Sequence, residues 1–302
     1  MPMRSTGTLL CIGSAAAFGA MAVLGKLAYD NGATVGTLLA VRFALAALMF
    51  WGLVFAAPGA TAQIRLLARR DVAIALGLGA AGYAAQAGCF FAALERIDAS
   101  LLSLMLYTFP AMVAVAAIVL GRERADATRF AALALASVGL VLVLASARPG
   151  ALDPVGAGLA IGAAVIYTTY ILVSQGIAGR LGPTLLSALV CSGAAVTLTA
   201  GSALLGDLRP ADVTPAGWGW LAGIAVVSTV AAVSLFFAGL KRVGPTTASI
   251  LSTVEPVVTV VLAFLVFGEL LGGIQLLGGG LVIAAVLVLG SHGTRERVEV
   301  PA

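Results

Sequence analysis

Glu255 stands directly before Pro256, near the middle of an apolar stretch from Gly244 to Phe267 that is about one bilayer crossing long. A carboxylate at that depth is costly, and the proline withholds an N–H from the carbonyl four residues earlier. Two roles are open to Glu255. It can anchor an ammonium group or carry a proton, or it can be a structural group paired with a basic or hydroxyl partner. Arg42 is the obvious partner, since it lies about 12 Å below the outer end of its own apolar run at 1.5 Å per residue, a depth similar to that of Glu255. Arg42 itself reads as a structural or gating charge rather than a substrate ligand. Lys26, close to the end of the first run, has a stem long enough to reach the headgroups; placed deeper, it would face a cavity mouth.

Pro110 repeats the situation of Pro256 in another run. The two prolines free the carbonyls of Leu106 and Ser252 and mark kinks, hence hinge positions. Tyr83, Gln86, Ser103, Tyr107, Tyr167, Tyr170, Ser228, Thr229, Ser252 and Glu255 are polar or aromatic groups at mid-run depth. Singly, each can bond back to its own helix or pack against a neighbour. As a set they line a cavity whose hydroxyls, amide and rings suit a zwitterion with an apolar side chain, and ring faces attract an ammonium group. Other chemistries lack their parts. There is no metal-ligand cluster, no Asp-rich motif and no nucleotide-binding loop; the one histidine, His292, is near the C-terminus, so an enzyme is not expected and neither is a cofactor. Cys11, Cys89 and Cys191 fall in three separate apolar runs and read as small buried hydrophobes.

These residues must be positioned by helices in a bilayer. The 302 residues are 61% hydrophobic and only 10% charged, and the apolar ones fall in runs of roughly 20. Ten spans are predicted at about 6–28, 34–56, 72–94, 98–120, 129–147, 155–178, 183–205, 217–239, 244–267 and 272–290. The first resembles a signal peptide in its small residues but stays apolar for longer, and reads as a retained span. With a cytoplasmic N-terminus, one side collects Arg4, Arg65, Arg69, Arg70, Arg122, Arg124, Arg129, Arg180, Lys241, Arg242, Arg295 and Arg297, against Lys26, Arg96, Arg148 and Arg209 on the other. That bias of 12 to 4 puts both termini in the cytoplasm and accounts for the net charge of +4 without nucleic acid.

Residues 90–123 match 236–269 without a gap at an offset of 146: Phe90/Phe236, Phe91/Phe237, Ala92/Ala238, Leu94/Leu240, Arg96/Arg242, Ser103/Ser249, Pro110/Pro256, Val115/Val261, Ala117/Ala263 and Glu123/Glu269. Weaker matches join Ile12-Gly13 to Ile161-Gly162 and Thr37-Leu38-Leu39 to Thr184-Leu185-Leu186. The expected organisation is a first five-helix repeat over 1–148, a second over 149–291 and a cytoplasmic tail over 292–302. Five is odd, so the second repeat enters the membrane from the opposite side. The fold class is an all-α polytopic membrane protein of two inverted-topology repeats, with a site near the midplane where the halves meet.

The duplication, Arg42-Phe43, Pro110, Glu255-Pro256, Arg122-Glu123 and Gly268-Glu269 together resemble the drug/metabolite transporter superfamily, in its ten-helix EamA-type branch. The resemblance implies export of amino acids or other small metabolites, most like the aromatic amino-acid exporters. It also implies a cavity lined by the first, third, fourth, sixth, eighth and ninth helices. The expected protein is a secondary transporter of a bacterial inner membrane, with the bilayer and a small molecule as its partners. Multidrug or cation efflux is the alternative, weakened by the lack of a carboxylate in the first span; an integral-membrane enzyme is a more distant one.

Overall fold

The computed structural model describes residues 2–58, 64, 67–121, 127–145 and 153–298. Arg65, Arg122, Glu123, Arg124 and Arg148, together with the expected boundary between repeats at 148/149, lie outside them. All regular structure among the described residues is helical. The helices are α1 (Pro2–Tyr29), α2 (Val35–Ala56), α3 (Arg69–Leu94), α4 (Ala99–Val119), α5 (Ala127–Ala145), α6 (Pro154–Leu181), α7 (Pro183–Leu204), α8 (Pro215–Val243), α9 (Pro245–Ser252 continued by Val254–Phe267) and α10 (Gly273–Val298). Helices α1 to α4 and α6 to α8 are long and apolar enough to cross a membrane; Phe130–Val143, Val254–Phe267 and Gly273–Val288 are shorter apolar helices at the positions of the fifth, ninth and tenth expected spans. Helix α10 continues to Val298, well past the expected end at 290.

Local chemistry sets the starts and stops. Pro154, Pro183 and Pro215 occupy first helical turns, where a missing N–H has no helical partner to lose. Thr34, Asp153 and Thr214 cap α2, α6 and α8 by accepting from the backbone N–H of Thr37, Val155 and Gly217. Helix α9 stops at Gly268, whose φ of +67° suits glycine.

The packing partners have a regular order. Helix α1 lies against α8 and α9, and α6 lies against α3 and α4; α2 pairs with α7, and α5 with α10. Adding five to each helix of the first half, and subtracting five from each of the second, exchanges α1–α8 with α6–α3 and α1–α9 with α6–α4, and maps α2–α7 and α5–α10 onto themselves. Close approach of α3 and α7 depends on Gly79 and Gly193: a Cβ on Gly79 would sit 2.0 Å from the Val190 carbonyl oxygen, and one on Gly193 would sit 2.2 Å from that of Leu76. Helices α5 and α10 meet at Gly139 and Gly278. Of the small-residue pairs visible in the sequence, Gly158 and Gly219 instead face open space. Large apolar side chains such as Leu9, Leu48, Phe130, Val196 and Leu265 point outward, as a lipid solvent requires.

Candidate substrate cavity

Helices α4 and α9 both break at mid-length. The first segment of α4 ends at Leu106 and the second begins at Phe109; in α9 the break falls at Thr253. Each break lies two or three residues before its proline, Pro110 or Pro256. The Ser252 carbonyl freed by Pro256 accepts a hydrogen bond from the Tyr107 hydroxyl, which sits at the break in α4. Glu255 Oε2 lies 3.4 Å from the same hydroxyl. The break in α4 thus supplies the donor that the break in α9 lacks.

Around them lies a cavity of about 940 Å³. Tyr83, Gln86, Ser103, Tyr107, Tyr167, Tyr170, Thr229, Ser252 and Glu255 line it, as do Pro110 and Arg42. Ser228, Pro256 and Lys26 do not. Ser228 follows its helix about 100° away from Thr229 and is fully buried in the packing, and among the described residues its Oγ is the buried side-chain polar atom with no hydrogen-bond partner. Pro256 is buried behind the wall. The lining takes in the six helices implied by the family resemblance, and also α2, α7 and α10 through Phe50, Cys191 and Val286.

Arg42 and Glu255 do not form the expected ion pair. Arg42 is 2% exposed, and its Nε donates to Thr229 Oγ1 at 3.0 Å while the guanidinium lies 4.9 Å from the Phe43 ring centre and 5.4 Å from that of Phe91. Tyr83 also interacts with it. Matched depth does not bring the two charges together because each side chain is claimed on its own wall. Local backbone irregularity helps to hold Arg42. Leu78–Tyr83 in α3 and Val226–Ala231 in α8 are π-helical, at nearly equivalent positions of the two halves, and the Thr229 hydroxyl bonds back to the Ile224 carbonyl five residues earlier. Nothing in residue propensity marks these wide turns in the sequence; only the alignment of Tyr83 with Thr229 hints that the sites correspond.

A chain of rings runs along one wall. Phe43 meets Tyr83 at 5.2 Å, Tyr83 stacks on Tyr170 at 5.7 Å, Tyr170 on Tyr167 at 6.3 Å, Tyr167 meets Phe109 at 4.7 Å, and Phe109 meets Tyr107 at 5.8 Å. The chain begins beside Arg42 and ends beside Glu255.

The cavity lining reaches Ser187 in the first turns of α7 and Leu240 in the last turn of α8 at one end of the bundle. At the other end the lining reaches Phe91 in the last turn of α3 and Ser103 in the first turns of α4, beside a cluster of charged groups. There Glu269 Oε1 accepts from Lys26 Nζ at 2.9 Å and from the Ala99 N–H at 3.1 Å, and Oε2 accepts from the Ser100 N–H at 3.0 Å and its hydroxyl at 2.8 Å. Asp98 lies 3.6 Å from the same ammonium. One carboxylate thus caps the start of α4 and ties it to α1 from the end of α9. Lys26 points into this cluster, with 21% of its side chain exposed, and pairs with the buried Glu269 carboxylate (7% exposed) instead of lining the cavity. Burial works against the Glu269 charge, but the Lys26 ammonium and the Ser100 N–H and hydroxyl outweigh it and hold the carboxyl below its ordinary pKa.

The profile of the EamA-like transporter family matches residues 5–145 and again 154–291. The chain belongs to the EamA-like transporter family. This transporter, a multi-pass membrane protein of the drug/metabolite transporter superfamily, is 26% identical over 284 residues to the uncharacterized transporter YcbK of Bacillus subtilis, spanning 91% of this chain and 90% of that one. It is 32% identical over 134 residues to the threonine/homoserine exporter RhtA of Salmonella typhimurium, 44% of each chain. A crystal structure with 20% sequence identity superimposes with a TM-score of 0.65 over 98% of this EamA-like chain and all of the other, a likeness of fold.

Proposed function

We propose that this EamA-like transporter is a secondary exporter of small amphipathic metabolites, amino acids in particular, working by alternating access around the central cavity. The carrying observation is that one cavity, built from both halves, has two charged side chains in its lining and a Lys26–Glu269 cluster at one end, which we read as its seal. Glu255 takes the substrate ammonium group or a proton. The sealed end carries Lys26, Arg96 and Arg209, the side poor in positive charge, so it is the outer one and the cavity faces the cytoplasm. The exchange of packing partners between helices five apart supports an inverted duplication with ten crossings and both termini in the cytoplasm of a bacterial inner membrane. The partial likeness to a threonine/homoserine exporter supports the choice of amino acids.

The test is flux into proteoliposomes holding purified protein and no ATP, with threonine, homoserine, phenylalanine and leucine as labelled probes. Saturable flux without an imposed gradient establishes facilitated export. Flux that requires a pH gradient makes Glu255 the proton carrier, and Glu255→Gln then uncouples it. No flux of any of the four overturns the amino-acid reading. The ring-lined wall ending at a carboxylate favours cation efflux as the second reading, and flux of tetraphenylphosphonium in the same vesicles would establish it.

A further inference from the structure

Arg42 is a buried cation without a counter-ion. No carboxylate among the described residues lies within 4.0 Å of its guanidinium, although a charge this deep is ordinarily paired. Its protein contacts are the Thr229 hydroxyl, Tyr83 and two ring faces. Those contacts fix the plane and position of the fork while supplying no negative charge. Arg42 and Glu255 are also the two charged residues of the cavity lining, and the six-ring chain leads from one to the other.

We infer that Arg42 is the carboxylate receptor of the transport site, taking the carboxylate of a zwitterionic substrate whose apolar side chain lies along the ring wall that leads away from it. This deepens the export reading and rests on it. The guanidinium offers parallel N–H donors that match a carboxylate in two-point geometry, which a lysine would not reproduce. Desolvation inside the cavity strengthens the charge contact, and the aromatic wall beside it favours molecules that carry a carboxylate together with an apolar side chain. The sequence reading of Arg42 as a structural charge changes because its expected structural partner, Glu255, is bound elsewhere.

The experiment compares three probes that share a phenyl ring in wild-type and variant proteoliposomes: phenylalanine, phenethylamine, which lacks the carboxylate, and 3-phenylpropionate, which lacks the ammonium group. Wild-type protein should move phenylalanine in preference to both. Arg42→Gln and Arg42→Lys should each raise KM for phenylalanine about tenfold to a hundredfold and leave phenethylamine transport near its wild-type value, so that discrimination between the two collapses. A purely structural Arg42 would lower both fluxes together. Thr229→Val, which keeps the charge and frees Nε, guards against an Arg42 variant that fails to fold; it should raise KM for phenylalanine about threefold to tenfold with the same selectivity signature. Equal wild-type handling of phenylalanine and phenethylamine, or parallel loss of both in the variants, would overturn the assignment and leave transport standing. Arg42-dependent flux of 3-phenylpropionate without phenylalanine would instead keep the receptor and overturn the amino-acid reading. Flux of none of the three overturns both.

Discussion

At the scale of single residues, the tyrosine at the break of α4 joins two problems. The Ser252 carbonyl has lost its helical donor to Pro256, and Glu255 needs a polar neighbour in an apolar interior; the Tyr107 hydroxyl serves both. Tyr107→Phe should leave that carbonyl unsatisfied and lower stability by about 1–3 kcal/mol, read as a drop in the thermal unfolding temperature of the detergent-solubilised protein. An unchanged unfolding temperature would show that cavity water replaces the hydroxyl. The proline positions and the polar set around them were legible in the sequence because prolines and carboxylates in apolar runs have few innocent explanations. The Tyr107–Ser252 bond was not, since it joins residues 145 apart. The absence of an Arg42–Glu255 pair was equally hidden, because depth along a helix says nothing about which way a side chain turns.

At the scale of elements, the end of the cavity read as sealed lies where three helices meet. Glu269 follows α9, Lys26 belongs to the last turn of α1, and the capped N–H groups open α4. If the protein works by alternating access, opening that end would require α4 to part from α1 or α9, and the carboxylate would then act as a latch. Cys191 in the cavity wall is a natural reporter once Cys11 and Cys89 are changed to serine. In that background Glu269→Ala should speed labelling of Cys191 by a membrane-impermeant maleimide added outside, relative to the parent; unchanged labelling would show that the seal lies deeper. The pH dependence has a definite sign. A carboxyl whose folded pKa is depressed stabilises the closed state above its ordinary pKa and loses that contribution as pH falls through the lower, folded value. Labelling in the parent, taken relative to a denatured control at the same pH to remove the change in thiolate fraction, should therefore stay constant from pH 8 down to the ordinary carboxylate range and rise only below it. Packing of α3 on α7 makes a further prediction: Gly79→Leu should abolish folding or lower the unfolding temperature by tens of degrees, because backbone cannot yield to the new side chain, whereas Gly158→Ala, with open space around it, should be tolerated.

At the scale of the whole molecule, two halves with exchanged partners enclose one cavity, and the proposed membrane orientation rests on where positive charge collects. A green fluorescent protein fused after Ala302 should fluoresce and an alkaline phosphatase fused there should be inactive, as a cytoplasmic C-terminus requires; the opposite result would reverse the direction in which the cavity faces. The sequence by itself determined the membrane class and the family, because hydropathy and motif identity accumulate over many residues and need no knowledge of contacts. It also marked most of the polar residues of the cavity, through their polarity at mid-span depth, but not Ser174, Ser187 or Thr259. Tertiary structure alone decided which of them face inward, that Ser228 turns away while Thr229 holds Arg42, that Lys26 is drawn into a three-helix cluster, and that the two buried charges stand apart. Those outcomes depend on helix rotation, on π-turns at Leu78–Tyr83 and Val226–Ala231 that shift the register of a face, and on contacts between residues more than a hundred positions apart. None of these leaves a periodic or compositional trace along the chain.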